Sequence, residues 1–127
     1  FKYEFDIPEK SVFVMLDKDR FSRIIHNLAG NALKYNPEGT IVSVALSVMD
    51  RQAVIDFDDD GIGIPAHLAQ DIFKPFVRAD YSRNSETGGS GLGLSIARKI
   101  AQAHSGDLIL RETGKKGCNF RITIPLI

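Results

Sequence analysis

Phe21-Ser22-Arg23-Ile24-Ile25-His26-Asn27-Leu28-Ala29-Gly30-Asn31-Ala32-Leu33-Lys34-Tyr35 is the stretch from which the rest of the chain can be read. At about 100° per residue, Phe21, Ile24, Ile25, Leu28 and Ala32 form one core-facing stripe, so the segment is an amphipathic helix. Asp17 or Asp19 can cap its start, and Asn36-Pro37 stops it. Asn27 and Asn31 stack one turn apart beside the apolar stripe, Lys34 continues their line, and Tyr35 lies between that line and the core. Two amides and a lysine along such an edge can line a polar pocket, since an amide oxygen suits Mg²⁺ and a lysine can neutralise phosphate. Read by itself, the helix equally allows surface amides and a lysine drawn to the C-terminal dipole. Gly30 inside it costs about 1 kcal/mol against alanine.

Strands flank this helix. Phe1, Tyr3, Phe5 and Ile7 alternate with Lys2, Glu4 and Asp6, which predicts a half-buried strand, and Ser11–Leu16 reads as another. After the helix, Ile41–Met49 and Ala53–Asp58 form an antiparallel hairpin about Asp50-Arg51. A short helix is expected near Ala66–Phe73, and a longer one from about Leu92 to His104, ended by Ser105-Gly106. Asp107–Glu112 and Cys118–Ile124 close the chain as a second hairpin. Ala79–Gly91 holds almost no large apolar side chain and cannot pack a core, so a mobile loop is expected there. Hairpins with helices between them imply an α+β domain, helices layered on one face of a largely antiparallel sheet.

Bulk composition narrows the function. The 127 residues suffice for one domain, expected to span 1–127, and 43% apolar with 25% charged residues can build a soluble core. Sixteen basic and sixteen acidic side chains cancel, which gives no electrostatic reason to expect nucleic acid or an anionic membrane as partner. Cys118 is the single cysteine, so no intrachain disulfide can form and a reducing, cytoplasmic setting fits. Apolar runs fall far short of the roughly 18 residues of a membrane span. The absence of an initial Met leads us to expect a segment of a longer protein.

Two glycine-rich stretches carry the remaining chemistry. In Asp58-Asp59-Asp60-Gly61-Ile62-Gly63-Ile64-Pro65, a strand delivers acids to a turn whose glycines allow a flat ligand close approach. A carboxylate there can accept from an exocyclic amine, the group that separates adenine from guanine. A plain acidic turn is the alternative; the spaced carboxylates and closing Glu of an EF-hand are missing. Gly61–Ala66 fits GxGxxA, but three adjacent acids would repel a dinucleotide pyrophosphate. Gly88-Gly89-Ser90-Gly91-Leu92-Gly93-Leu94 runs into a helix, an arrangement that suits an anion, without the GK[ST] of a Walker loop.

Taken together and in order, these motifs resemble the catalytic ATP-binding domain of bacterial sensor histidine kinases, within the gyrase, chaperone, histidine-kinase and MutL superfamily. Asn27–Tyr35 looks like the N box, Asp59–Ile64 the first glycine box, Ile72–Arg78 the F box and Gly89–Leu94 the second glycine box. Gly117-Cys118-Asn119-Phe120 with Pro125-Leu126 is similar to the closing hairpin. The resemblance implies a Bergerat-type two-layer α/β sandwich with a mixed, mostly antiparallel sheet of about five strands, three helices on one face and a flexible ATP lid.

It also implies roles. Asn31 would bind Mg²⁺, Asn27 would assist with metal or phosphates, and Lys34 would contact phosphate, making these three the catalytic set. Tyr35 would pack beside adenine and Asp59 accept from its amine, with Gly61, Gly63 and Ile64 shaping that wall. The lid would span about Val77 to Ser90, with Arg78 or Arg83 reaching the phosphates and Phe73 and Phe76 either anchoring it or serving as core. Gly89, Ser90, Gly91, Leu92, Gly93 and Leu94 would complete the nucleotide site. Asn27 stands where gyrase-like ATPases carry a Glu that activates water, and an amide is no general base, so phosphoryl transfer is favoured over hydrolysis.

None of His26, His67 or His104 matches the family's phosphoacceptor, and all three read as structural or surface groups. The implied partners are therefore a dimerisation domain of the same kinase, which carries the acceptor, and a response regulator. The isolated domain is expected to be monomeric, cytoplasmic and without direct membrane contact. A nucleotide-binding regulatory module and an anti-sigma-type serine kinase share the same boxes and remain the alternatives.

Overall fold

The computed structural model describes residues 2–69, 71–74, 93–111 and 116–127; the side chains of Lys2, Tyr3, Leu33, Lys34, Tyr35, Ala66 and Leu68 fall outside the described set. Strand β1 (Lys2–Asp6) leads through helix α1 (Lys18–Tyr35) to the hairpin β2 (Ile41–Met49) and β3 (Gln52–Asp59). Then follow one turn of helix, α2 (Ala66–Ala69), the helix α3 (Gly93–Ala103) and the hairpin β4 (Asp107–Arg111) and β5 (Asn119–Pro125). The five strands form one sheet in the order β1-β2-β3-β5-β4. Only the β1–β2 pair is parallel.

Register sorts the side chains into two layers, because directly paired residues share a face. Val44 pairs with Phe57 and Phe57 with Phe120; Ile55 pairs with Ile122, and Ile122 with Leu108. Against these pack Ile24, Leu28 and Ala32 of α1 and Ala97, Ile100 and Ala101 of α3, in one buried cluster. The stripe expected on α1 is therefore the core face. The opposite sheet face carries a charged cluster: Asp56 receives two hydrogen bonds from Arg121, at 2.8 and 3.0 Å, and Arg111 approaches at 3.4 Å.

Local chemistry explains the ends of the elements. Asp17 caps α1 by accepting from the N–H groups of Asp19 and Arg20, both at 3.1 Å. Asn36, with extended backbone, ends it before Pro37. Asp50 and Arg51 have φ of 51° and 62°, the left-handed pair that a tight hairpin demands. His104 finishes α3 with both ring nitrogens engaged: Nδ1 lies 2.7 Å from the Ile100 carbonyl and Nε2 accepts from Asp17 N–H at 2.9 Å.

Three expectations change. Ser11–Leu16 is not a strand; it makes a single bridge, Val14 to Leu126, together with a hydrogen bond from Ile127 N–H to the Phe13 carbonyl. Its adjacent apolar residues lack the strict alternation that would fix one face on a sheet, and Phe13 and Met15 stay exposed. The first strand exists, yet Phe5 is 67% exposed rather than half-buried, since it lies on the sheet edge beyond the reach of the helix layer. The short helix covers only Ala66–Ala69, and the layer on the sheet is built mainly from α1 and α3. The expected lid, with Phe76, Arg78, Arg83, Gly89, Ser90, Gly91 and Leu92, lies outside the described residues.

Candidate nucleotide site

A cavity open to solvent lies between the C-terminal half of α1 and the end of β3. Leu28, Asn31, Ala32 and Asn36 form its helical wall, and Val42, Phe57 and Phe120 its floor. Asp58, Asp59, the adjoining Cys118, the turn Ile62–Ile64 and Leu94 complete the lining. The lining is thus mainly apolar, with a few polar groups converging on it, as expected for a flat, partly polar ligand.

The three consecutive acids have separate positions. Asp58 pairs with Asn119 across the β3–β5 ladder. Asp60 pins the turn to β2: its carboxylate accepts from Ile41 N–H at 2.7 Å, while its own N–H donates to the Ile41 carbonyl at 3.2 Å. Asp59 pairs with Val42 and so falls on the helix-covered side of the sheet, at the cavity. Its Oδ1 accepts from Gly61 N–H at 3.0 Å and Cys118 N–H at 3.3 Å. Burial pushes its carboxyl above the usual range; the two N–H donors oppose that shift, and the charges of Asp58 and Asp60 add to it.

Gly117 makes this arrangement possible. It has a φ of 99°, and a Cβ there would collide with the Asp59 carbonyl oxygen, so glycine alone lets β5 come close enough for Cys118 to hold Asp59. The adjoining Cys118 thiol is pushed up to about 12, first by burial and then by the charges of Asp59 and Asp58. It is a neutral, soft wall of the cavity.

Of the residues expected at a site, Asn31, Asp59, Gly63, Ile64 and Leu94 come together around this one cavity. Gly61 sits just behind it, against the side chain of Asn36. Asn27 is one turn further back on α1: its Nδ2 donates to the Gly93 carbonyl at 3.0 Å and ties α1 to the first residue of α3. Phe73 packs on the core, edge-on to Phe120 with ring centroids 6.3 Å apart and with the Arg98 guanidinium 5.0 Å from its centroid. The side chains of Lys34 and Tyr35 lie outside the described residues.

Among the lining residues that the sequence reading did not place at the site, Asn36 and Cys118 are the two whose hydrogen bonds shape its wall. Each is brought in by a contact across tens of residues, Asn36 to Ile62 and Cys118 to Asp59. The only local signal was position: one ends the helix and the other opens the last strand. Among the described residues no group of three or more His, Cys, Asp or Glu could hold a metal ion. A metal here would be held largely by a bound polyanion and water, with neutral amide oxygens adding to them, which suits Mg²⁺.

Comparison with known proteins agrees with this geometry. The family model described as histidine kinase-, DNA gyrase B- and HSP90-like ATPase matches residues 16–127. The chain belongs to that family and, within it, to the ATP-binding domains of sensor histidine kinases. It is similar to the sensor histidine kinase WalK of Bacillus subtilis (strain 168), with 36% identity over 122 residues. That match covers 94% of this chain and 20% of WalK, so the chain spans about a fifth of the length of this relative. Among solved structures, the mycobacterial sensor histidine kinase MprB superposes with a TM-score of 0.84 at 28% identity, over 98% of this chain and 83% of that one. Full-length ShkA in complex with AMPPNP superposes with a TM-score of 0.81 at 25% identity, over 98% of this chain and 25% of that one.

Proposed function

We propose that the chain binds ATP with Mg²⁺ in the cavity beneath α1 and presents the γ-phosphoryl group to a histidine on a separate dimerisation domain of the same kinase. The observation that carries this reading is Asp59, a half-buried carboxylate whose Oδ1 is fixed by two backbone N–H groups at the wall of an otherwise apolar cavity. An acid so held is pre-set to accept from one exocyclic amine, and fixed donors and acceptors cost little to organise when ligand arrives. Ile62, 58% exposed at the rim, has apolar surface for a base to cover. The AMPPNP of the ShkA complex suits an adenine-nucleotide site.

The division of labour follows from position. The apolar floor takes the adenine plane, Asp59 its amine, and Asn31 faces the same cavity with a neutral oxygen for Mg²⁺. Bound Mg²⁺ would supply charge neutralisation at the phosphates. Asn27 has its Nδ2 on Gly93, so its Oδ1 is the atom left for metal or phosphate, and an amide offers no base for hydrolysis. Lys34 is assigned to phosphate contact. The acceptor imidazole nitrogen forms the new N–P bond, the Pγ–O bond breaks, and ADP departs with the bonding electrons. His104 is no candidate acceptor, because both its ring nitrogens are engaged. The phosphoryl group then passes to a response regulator.

The test is to mix this chain with ATP and Mg²⁺ and a separately supplied dimerisation domain and to assay acid-labile phosphohistidine. Label on the dimerisation domain is expected. Phosphoserine instead would favour an anti-sigma-type serine kinase, and tight ATP binding with no transfer a regulatory module. Asn31→Asp is expected to alter the Mg²⁺ dependence of ATP binding, and an unchanged dependence would remove Asn31 from the metal.

A further inference from the structure

The side chain of Asn36 crosses from the end of α1 to the turn after β3, where its Oδ1 accepts from Ile62 N–H at 3.1 Å. The carboxamide lies directly against Gly61: a Cβ built on that glycine would sit inside it, and the three nearest atoms met are all from Asn36. Gly61 is also absent from the positive-φ positions, so a left-handed φ is not what calls for glycine there. The Asn36 side chain is therefore the first obstacle to a larger residue there. Asn36 further lines the cavity, and Gly61 N–H is one of the two donors that hold Asp59.

We infer that Asn36 and Gly61 form a positioning clamp that sets the Asp59 turn against the amide-bearing helix, and that Gly61 is glycine in order to admit Asn36. This rests on the adenine-nucleotide reading of the cavity and adds a residue to it. Asn36 acts through the turn, fixing the separation between the helix that carries Asn31 and the wall that carries Asp59. Alanine at position 61 would evict the carboxamide and break its bond to Ile62 N–H, so Gly61→Ala and Asn36→Ala should produce the same defect. Once the carboxamide is gone, the nearest obstacle to the methyl group goes with it.

The experiment is a double-mutant cycle on this chain: the wild type, Asn36→Ala, Gly61→Ala and the double variant, titrated with ATP·Mg²⁺ and with ITP·Mg²⁺, which lacks the exocyclic amine. Each single variant is expected to weaken ATP by roughly tenfold and ITP by much less, because a loosened turn misplaces the Asp59 acceptor. The double variant is expected to bind no worse than Asn36→Ala alone. Multiplying losses in the double variant would overturn the clamp, since Gly61 would then be needed for its own sake. Equal weakening of ATP and ITP would also overturn it, reducing Asn36 to a general stabilising contact. Thermal melting of the four ligand-free proteins gives the same cycle without nucleotide: failure of the wild type to bind ATP would defeat the functional reading, while additive melting losses would defeat the clamp alone.

Discussion

Replacing Asp59 by Asn separates the two consequences of placing a carboxylate at the cavity wall. The amide oxygen can keep both hydrogen bonds now made to Oδ1, from Gly61 and Cys118, so the turn should survive. What changes is the other atom, an acceptor oxygen in the wild type and an NH₂ donor in the variant. Facing the adenine amine, that donor replaces a hydrogen bond to a charged group, worth about 1.5–3 kcal/mol, with two opposed donors. The expected loss in ATP affinity is therefore at least about 10- to 150-fold. ITP, which presents a carbonyl at that position, should lose little or gain.

Stability should move the opposite way. Burial raises the Asp59 pKa above its ordinary 3.8, so the folded state holds the proton more tightly than the unfolded chain and the ionised group destabilises the fold at neutral pH. Ligand-free Asp59→Asn should thus melt higher than wild type at pH 7. The difference should shrink as pH falls through the raised value and vanish below the unfolded one, where wild-type Asp59 is protonated in both states. Calorimetric titration with the two nucleotides, and melting curves from pH 7 to pH 3, measure both effects. Parallel losses of ATP and ITP with a lower melting temperature at pH 7 would refute the reasoning.

Other perturbations probe the frame around the site. Cys118, with its thiol pushed up to about 12, should react with iodoacetamide at pH 8 roughly 50- to 100-fold more slowly than in the urea-unfolded chain, even allowing for the greater nucleophilicity of the rarer thiolate. A rate comparable to that of the unfolded chain would place the thiol in open solvent. Asp17→Ala removes the N-cap of α1 and should cost about 0.5–2 kcal/mol in urea denaturation, with ATP·Mg²⁺ affinity little changed. Arg121→Met leaves Asp56 with only the longer Arg111 contact on the sheet face opposite the helices and should cost about 1–3 kcal/mol; a neutral result would show that the pair contributes nothing net.

Most of the architecture was legible because periodicity reports which face is buried. The stripe from Phe21 to Ala32 and the alternation of Phe120, Ile122 and Ile124 name the contacts that α1 and β5 make. Ser11–Leu16 misled because apolar content without alternation does not choose a face, and the N-terminal strand was legible in type but not in burial, which depends on its place at the sheet edge. At the site, Asp59 could be read because a strand ending in acids and glycines is a local pattern. Asn36 could not, since its role comes from Ile62 across 26 positions, and neither could the bond that turns Asn27 toward Gly93, 66 positions away. Cys118 depends in turn on Gly117 and on a strand order that no local pattern encodes.

ATP is expected to sit in the cavity beneath α1, walled by Asn31 and Asp59. Backbone amide NMR of the labelled chain, titrated with ATP·Mg²⁺, tests it most directly. Saturable shifts are expected at Asn31, Asp59, Gly61 to Ile64 and Cys118, with Asp56, Arg111 and Arg121 on the opposite face of the sheet unmoved. Shifts centred on that opposite face, or no saturable shift at millimolar nucleotide, would contradict it.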